Sequence, residues 1–199
     1  MNIILASSSE YRKRLLKPLI PSLVCISPKI DESIQPDESA TKYVTRLALE
    51  KAQVVAQEIA KKQKDALVIG SDQCTVLNNK IISKPGNAEN AFQQLKESSG
   101  NTVTFYTGLC VINTNTDSTQ TSCETYQVTF RILSDEQIHA YLEKDQPFDC
   151  AGSFKAEGLG ITLFEKMQGD DPNTLIGLPI IKLTTMLQAE GFDPIILKF

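Results

Sequence analysis

Ala66-Leu67-Val68-Ile69-Gly70-Ser71-Asp72-Gln73 is the stretch of this chain whose reading decides the fold. Ala66–Gly70 is an uninterrupted apolar run, the pattern of a strand covered on both faces and hence of the middle of an α/β sheet. Asp72 then falls just beyond the strand's carboxyl end, where such sheets place their ligands. A carboxylate there can bind a divalent cation or deprotonate a water; it can equally be an aspartate in a turn.

Working outward, Asn2–Ala6 reads as a short apolar strand that runs through Ser7-Ser8-Ser9 into a helix carrying Tyr11, Leu15, Leu16 and Leu19. A second strand is expected over Leu23–Ile26. From Ser39 to Lys62, Tyr43, Val44, Leu47, Ala48, Ala52, Val55 and Ile59 recur at three-and-four spacing, the mark of one buried helical stripe. Cys74–Leu77 and Lys80–Ile82 read as a hairpin across Asn78-Asn79, a pair that tolerates positive φ. Ala88–Glu97 is a helix ended by Ser98-Ser99-Gly100. Val103–Asn113 and Thr119–Leu133 read as two long antiparallel strands, and Ser134-Asp135-Glu136-Gln137 opens a helix with a capping box. Helical segments are expected from Asp171-Pro172 and over Leu178–Glu190, with a closing strand at Pro194–Lys198. The alternation predicts an α/β fold with a mixed sheet, in one compact unit.

Composition bounds the function. The 199 residues are 41% hydrophobic and 22% charged, the profile of an ordinary globular protein. Lys plus Arg number 20 against 24 Asp plus Glu, a net charge of −4 that argues against a protein whose main task is gripping duplex nucleic acid. No apolar run approaches bilayer-spanning length, and Met1–Ala6 lacks the pattern of a signal peptide. The five cysteines are widely spread without a Cys-x-x-Cys pair, which predicts reduced thiols in a cytoplasmic protein, with neither a disulfide framework nor a zinc site.

Few residues stand out as chemistry. Ser7-Ser8-Ser9 at a strand-to-helix junction, followed by Arg12 and Lys13, could hold an anion, though a serine N-cap before a solvated basic turn is the plainer reading. Asp31-Glu32 offers the hard oxygens that Mg²⁺ or Mn²⁺ prefers; alone, such a pair is more often a solvated turn. Lys51 is odder, because it lies on the apolar stripe of its helix. Either its stem reaches to the rim or its ammonium faces an anion in a pocket. Lys84 is held extended by Pro85 and could point into a site or into solvent. His139, the only histidine, lies off its helix's apolar face and suits a surface role. No nucleophile–histidine relay, Walker A loop or Gly-x-Gly-x-x-Gly is present.

Taken together, these stretches resemble the Maf family of nucleoside triphosphate pyrophosphatases. The matching segments are Leu5–Ser9 through Arg12-Lys13, Asp31-Glu32, Arg46–Ala52, Gly70–Gln73, Lys84-Pro85, Ser99-Gly100 to Thr107-Gly108, Ala151–Gly158 and Asn173–Pro179. They cover nearly the whole chain, in order. The resemblance implies a single domain over 1–199 and an elongated α/β fold, with a mixed twisted sheet flanked by helices and two lobes around a deep cleft. It also implies a homodimer, a nucleoside triphosphate substrate cleaved between its α and β phosphates, and a divalent metal cation, Mg²⁺ or Mn²⁺.

Carried over by position, the resemblance makes Asp72 the proton acceptor and Glu32 its acidic partner near the metal, with Asp72 itself a metal candidate. Ser7, Arg12, Lys13, Lys51 and Lys84 then hold phosphates. Glu10 stands where the family often has Pro, and Lys13 where it usually has Arg, so Lys13 keeps the charge and loses the bidentate fork. Tyr11, Gln73 and Glu157 occupy the positions that choose the base, and they resemble the branch acting on 7-methyl-GTP. An aromatic face and a carboxylate both suit a methylated, positively charged guanine. The alternatives are a broader pyrophosphatase acting on dTTP and UTP, or a non-catalytic nucleotide-sensing regulator of septum formation.

Overall fold

The computed structural model describes residues 1–62 and 65–196. A seven-stranded mixed sheet carries the architecture. Its strands are β1 (Asn2–Ala6), β2 (Val24–Ile26), β3 (Ala66–Leu77), β4 (Lys80–Ile82), β5 (Thr102–Asn113), β6 (Thr119–Phe130) and β7 (Phe164–Gln168). They run in the order β2-β1-β3-β5-β6-β7, with β4 paired to β3 off that path. β1 is parallel to both β2 and β3, whereas β4 pairs β3 and β7 pairs β6 antiparallel. The helices are α1 (Glu10–Leu16), α2 (Ala40–Lys61), α3 (Ala88–Ser98), α4 (Asp135–Asp145), α5 (Asn173–Ile176) and α6 (Ile180–Ala189). Among the described residues, no helix is long and apolar enough to cross a membrane.

The chain divides into two compact units, the first made of residues 1–73, 107–124 and 171–199, the second of 74–106 and 125–170. In the first, strand alternation sorts side chains between two apolar layers. Ile3, Leu5, Leu67, Ile69, Leu109 and Val111 pack with Leu16 and Ile20 near α1 and with Leu183, Met186 and Leu187 of α6. Ile4, Ala6, Val68, Cys110 and Ile112 face the opposite way, onto Ala48, Ala52, Val55, Ala56 and Ile59 of α2. The three-and-four stripe is thus the buried face of α2, as its spacing predicts.

That second layer is unusually close. A β-carbon added at Gly70 would lie 2.1 Å from the Ala48 carbonyl oxygen, and one at Gly108 would lie 2.1 Å from that of Val44. Residue 70 on β3 and residue 108 on β5 must therefore lack side chains for α2 to rest where it does. The pair fixes the height of the helix over the sheet.

The second unit holds the Asn78-Asn79 hairpin, with both asparagines at positive φ (49° and 61°) as expected. The capping box of α4 is formed as its sequence predicts: Gln137 N–H donates to Ser134 Oγ at 3.2 Å, and Ser134 N–H to Gln137 Oε1 at 2.9 Å. Edge-to-face contacts of Phe154 with Phe105, Phe130 and Phe164 build its core. His139 is exposed and stacks on Phe92 of α3, with ring centroids 4.5 Å apart.

Three expectations need correction. The strand that begins at Ala66 does not stop at Gly70; it continues through Asp72 to Leu77, so Asp72 is inside β3 and not in a turn beyond it. The polar side chains do not end the strand because each finds a partner there: Ser71 Oγ donates to the Gly108 and Gly177 carbonyls, and Asp72 meets Lys51. At the far end, Pro194–Ile196 is a turn and not the start of a strand, with Asp193 Oδ1 accepting from Ile195 N–H at 2.9 Å; residues 197 and 198 of the expected strand lie outside the described residues. Finally, Phe164–Gln168 forms β7, which the sequence reading did not anticipate.

Two outcomes are expected on stability. Gly70→Ala pushes a β-carbon into main chain and should cost about 1–3 kcal/mol in denaturant unfolding; a change under about 0.5 kcal/mol would mean that α2 is not held by this contact. Glu190, at the end of α6, accepts hydrogen bonds from Asn113 Nδ2 (2.8 Å), Ser118 Oγ (2.7 Å) and Gln120 Nε2 (2.7 Å). These donors, Asn113 foremost, hold its carboxyl below the ordinary value of 4.5. A lowered folded-state value stabilises at neutral pH and is lost as pH falls through it. Glu190→Ala should therefore cost about 1–3 kcal/mol at pH 7, with the difference from wild type shrinking below about pH 4; a gap constant with pH would contradict the assignment.

Candidate active site

The first unit buries a lysine. Lys51 is 6% exposed on the sheet-facing side of α2, and Asp72 is 7% exposed on β3. Two residues after Gly70, Asp72 points to the same face of the strand as the glycine that admits the helix. The close seat of α2 therefore brings the Lys51 ammonium to 2.6 Å from Asp72 Oδ1. Glu32, on the loop between β2 and α2, reaches the same ammonium at 2.7 Å with a side chain that is 58% exposed. Of the two readings of Lys51, the structure selects the buried ammonium, and the anions it meets are these carboxylates.

Arg12 and Ser7 form a second group in this unit. Ser7 is buried just after β1 and accepts a hydrogen bond from Ser9 N–H at 3.1 Å. Ser9 caps α1 by accepting from Arg12 N–H, as the plain reading expected, but Arg12 is half-buried and does not belong to a solvated turn. The Arg12 guanidinium donates from Nε to the Gly177 carbonyl at 2.7 Å and reaches Ser7 Oγ from Nη1 at 3.5 Å. Burial pulls this guanidinium below its ordinary value, while the charges of Asp72 and Glu32 act in the opposite sense. Gly177 has φ of 102°, a left-handed value that glycine adopts at no steric cost. Its carbonyl takes both Arg12 Nε and Ser71 Oγ, which orients the arginine.

The remaining candidates separate. Lys13 is exposed and pairs with Glu10 at 3.2 Å on its own helix. An exposed pair of this kind is worth little. Gln73 follows Asp72 and so faces the other side of β3. Its amide Nε2 donates to Thr107 Oγ1 (2.9 Å) and to the Thr174 carbonyl (2.6 Å), binding β3 to the segment that opens α5. Tyr11 is half-buried in the first turn of α1. Lys84 and Glu157 are both exposed, and both belong to the second unit.

Sequence reasoning missed two contributors. Asp171 is buried and accepts from Asn173 N–H and from Ile181 N–H, both at 2.8 Å, tying α5 to the start of α6. Arg46 holds Glu38 through two contacts of 2.7 Å and donates to the Ser33 carbonyl at 3.0 Å. Its signal was its place on α2, one turn before Glu50 and five residues before Lys51, on a helix otherwise read for its apolar stripe.

Glu32 and Asp72 can be weighed as cation ligands on the chemistry of their donors. Both present hard carboxylate oxygens to one point, now occupied by an ammonium. Mg²⁺ commonly takes one or two carboxylates and completes its shell with substrate phosphates and water. Among the described residues, no group of three or more His, Cys, Asp or Glu could hold a metal ion. The pair fits a cation that arrives with phosphate oxygens, and does not make a self-sufficient cage.

Comparison with known proteins bears on the chain as a whole. A family model described as "Maf-like protein" matches residues 2–190. A protein of Vibrio parahaemolyticus named 7-methyl-GTP pyrophosphatase is 48% identical over 191 residues, covering 96% of each chain. Proteins of the same name from Nitrosococcus oceani and Aliivibrio fischeri are each 50% identical, over 96% of this chain and 94% and 97% of theirs. Among solved structures, the Staphylococcus aureus Ham1 protein is similar in fold, with a TM-score of 0.52 at 14% identity over 96% of this chain and 100% of that one. A family match across almost every described residue, joined to relatives near half identical along nearly their whole length, establishes that the chain belongs to the Maf family.

Proposed function

We propose that this chain is a nucleoside triphosphate pyrophosphatase that hydrolyses 7-methyl-GTP to 7-methyl-GMP and pyrophosphate. The observation that carries the reading is the buried Lys51 ammonium shared between Asp72 and Glu32 at 2.6 and 2.7 Å. Desolvating a lysine is costly, and the two carboxylates compensate it. Such a group can receive a polyphosphate, with the Lys51 ammonium turning from the carboxylates to phosphate oxygens and Asp72 thereby released to take a proton. The name borne by the relatives supports the substrate.

In this reading Asp72 accepts a proton from a water that attacks the α-phosphorus. The bond to the oxygen bridging the α and β phosphates breaks, and pyrophosphate leaves with that electron pair. Lys51 and Arg12 face the charge that builds on the phosphate oxygens, and Ser7 adds a hydroxyl. Positioning and charge neutralisation are the main contributions a protein makes to this chemistry. A divalent cation held by Glu32 and Asp72 would supply further charge neutralisation at the phosphates. Lys13 and Lys84 are assigned to outer phosphate oxygens, and Tyr11, Gln73 and Glu157 to the base. Gln73 would read it with its amide oxygen, since its Nε2 is committed to Thr107 and Thr174. The reading extends to one functional domain over 1–199 working as a cytoplasmic homodimer, which sedimentation and fractionation would test.

Two measurements check it. With Mg²⁺ or Mn²⁺ present, pyrophosphate release from 7-methyl-GTP should exceed that from GTP, dTTP and UTP by tenfold or more in kcat/KM, roughly 1.4 kcal/mol of discrimination. Preference for dTTP or UTP would favour the broader enzyme, and tight binding without turnover would favour the sensor. Asp72→Asn should lower kcat by about 10²–10⁴-fold while the protein stays folded, the scale of a lost general base. Full activity in that variant would remove Asp72 from the mechanism.

A further inference from the structure

The loop that carries Glu32 has no regular secondary structure, and the glutamate side chain is largely exposed. An exposed carboxylate on an irregular loop has many places to go, and a single contact to an ammonium does not hold it. Yet residues 31–38 are fastened along their length. Asp31 Oδ1 accepts from Ser33 N–H at 2.9 Å, and Tyr43 donates its hydroxyl to the Glu32 carbonyl at 2.9 Å. Arg46 Nη2 donates to the Ser33 carbonyl at 3.0 Å. The same guanidinium grips both oxygens of Glu38, whose Oε2 also accepts from Gln35 N–H at 3.1 Å.

Tyr43 and Arg46 lie three residues apart on α2, so they stand one above the other on a single helix face. The Arg46 guanidinium lies over the Tyr43 ring, 5.7 Å from its centroid. Together they take two consecutive carbonyls, those of Glu32 and Ser33. Gripping the carbonyls of two successive peptide units, on either side of the Ser33 α-carbon, fixes the backbone that immediately follows Glu32 and with it the point from which the Glu32 side chain starts. Lys51, a further five residues along the same helix, is where it ends.

We infer that Tyr43 and Arg46 are positioning residues: they form a brace on α2 that holds the Glu32 carboxylate against Lys51. The brace and its target belong to one helix, so the loop follows α2 wherever the sheet seats it. Arginine is required over lysine, because one side chain must meet Glu38 with two nitrogens and still donate to Ser33. This inference rests on the role proposed above for Glu32.

The test is a double-mutant cycle in the full-length protein, with Tyr43→Phe, Arg46→Lys and Glu32→Gln made singly and in pairs. Tyr43→Phe and Arg46→Lys should each lower kcat for 7-methyl-GTP about tenfold in the wild-type background, and by less than about twofold when Glu32 is already glutamine. Amide hydrogen exchange over residues 31–38, measured without nucleotide or metal, should quicken about tenfold or more in both variants while α2 keeps its protection. Tyr43→Phe leaves the Arg46–Glu38 pair in place, so its outcome does not depend on tolerating a larger change. Equal losses in both backgrounds, or unchanged exchange at 31–38, would overturn the brace. Should Glu32→Gln alone keep the wild-type kcat, the assigned role of Glu32 fails and the catalytic part of the inference with it. A slow Glu32→Gln with additive brace variants defeats the inference alone.

Discussion

The carbonyl oxygens of Ala48 and Val44 occupy the places where residues 70 and 108 would carry β-carbons. The meeting of Lys51 with Asp72, on which the charged centre of the first unit is built, depends on that close approach. Helix α2 rests on bare backbone at two neighbouring strands, and its register over the sheet is set by contact with main chain, which cannot rotate aside. Lys51 follows Ala48 by three residues and Asp72 follows Gly70 by two, so the seat of the helix and the meeting of the charges are one geometric fact. With a side chain at either glycine, the helix would have to lift and the 2.6 Å contact between Lys51 and Asp72 would open.

Charge is then managed in stages. The buried pair of Lys51 and Asp72 would be expensive alone, and Glu32 completes it from a loop that remains open to solvent. Arg12 is held by a carbonyl, not by a carboxylate, since Gly177 takes its Nε. Its charge is therefore not cancelled by direct pairing. Two cations of unlike type face the same acidic group, the lysine paired directly with it and the arginine anchored by the neutral Gly177 carbonyl.

Much of this was legible in the sequence, for identifiable reasons. The α2 stripe, the Asn78-Asn79 hairpin and the Ser134–Gln137 capping box are local patterns, and local patterns survive into the fold. The assignment of Ser7, Arg12, Lys51, Asp72 and Glu32 to one site came from the family resemblance; spacing alone left Lys51 between rim and pocket. What stayed hidden was non-local. The strand continues through Ser71 and Asp72 because their partners, Gly108, Gly177 and Lys51, come from distant segments. The need for glycine at 70 and 108 comes from Ala48 and Val44 on α2, which the local sequence around either glycine does not announce. Strand β7 reads weakly because only Phe164 of its five residues is buried, and its partner β6 decides its existence.

The most direct test is a crystal structure with a 7-methyl-GTP analogue whose α,β-bridging oxygen is replaced by methylene, together with Mg²⁺. The account predicts the α-phosphate beside Asp72, with Lys51 and Arg12 donating to phosphate oxygens. Phosphates bound elsewhere, with the Lys51–Asp72 pair closed and untouched, would contradict it.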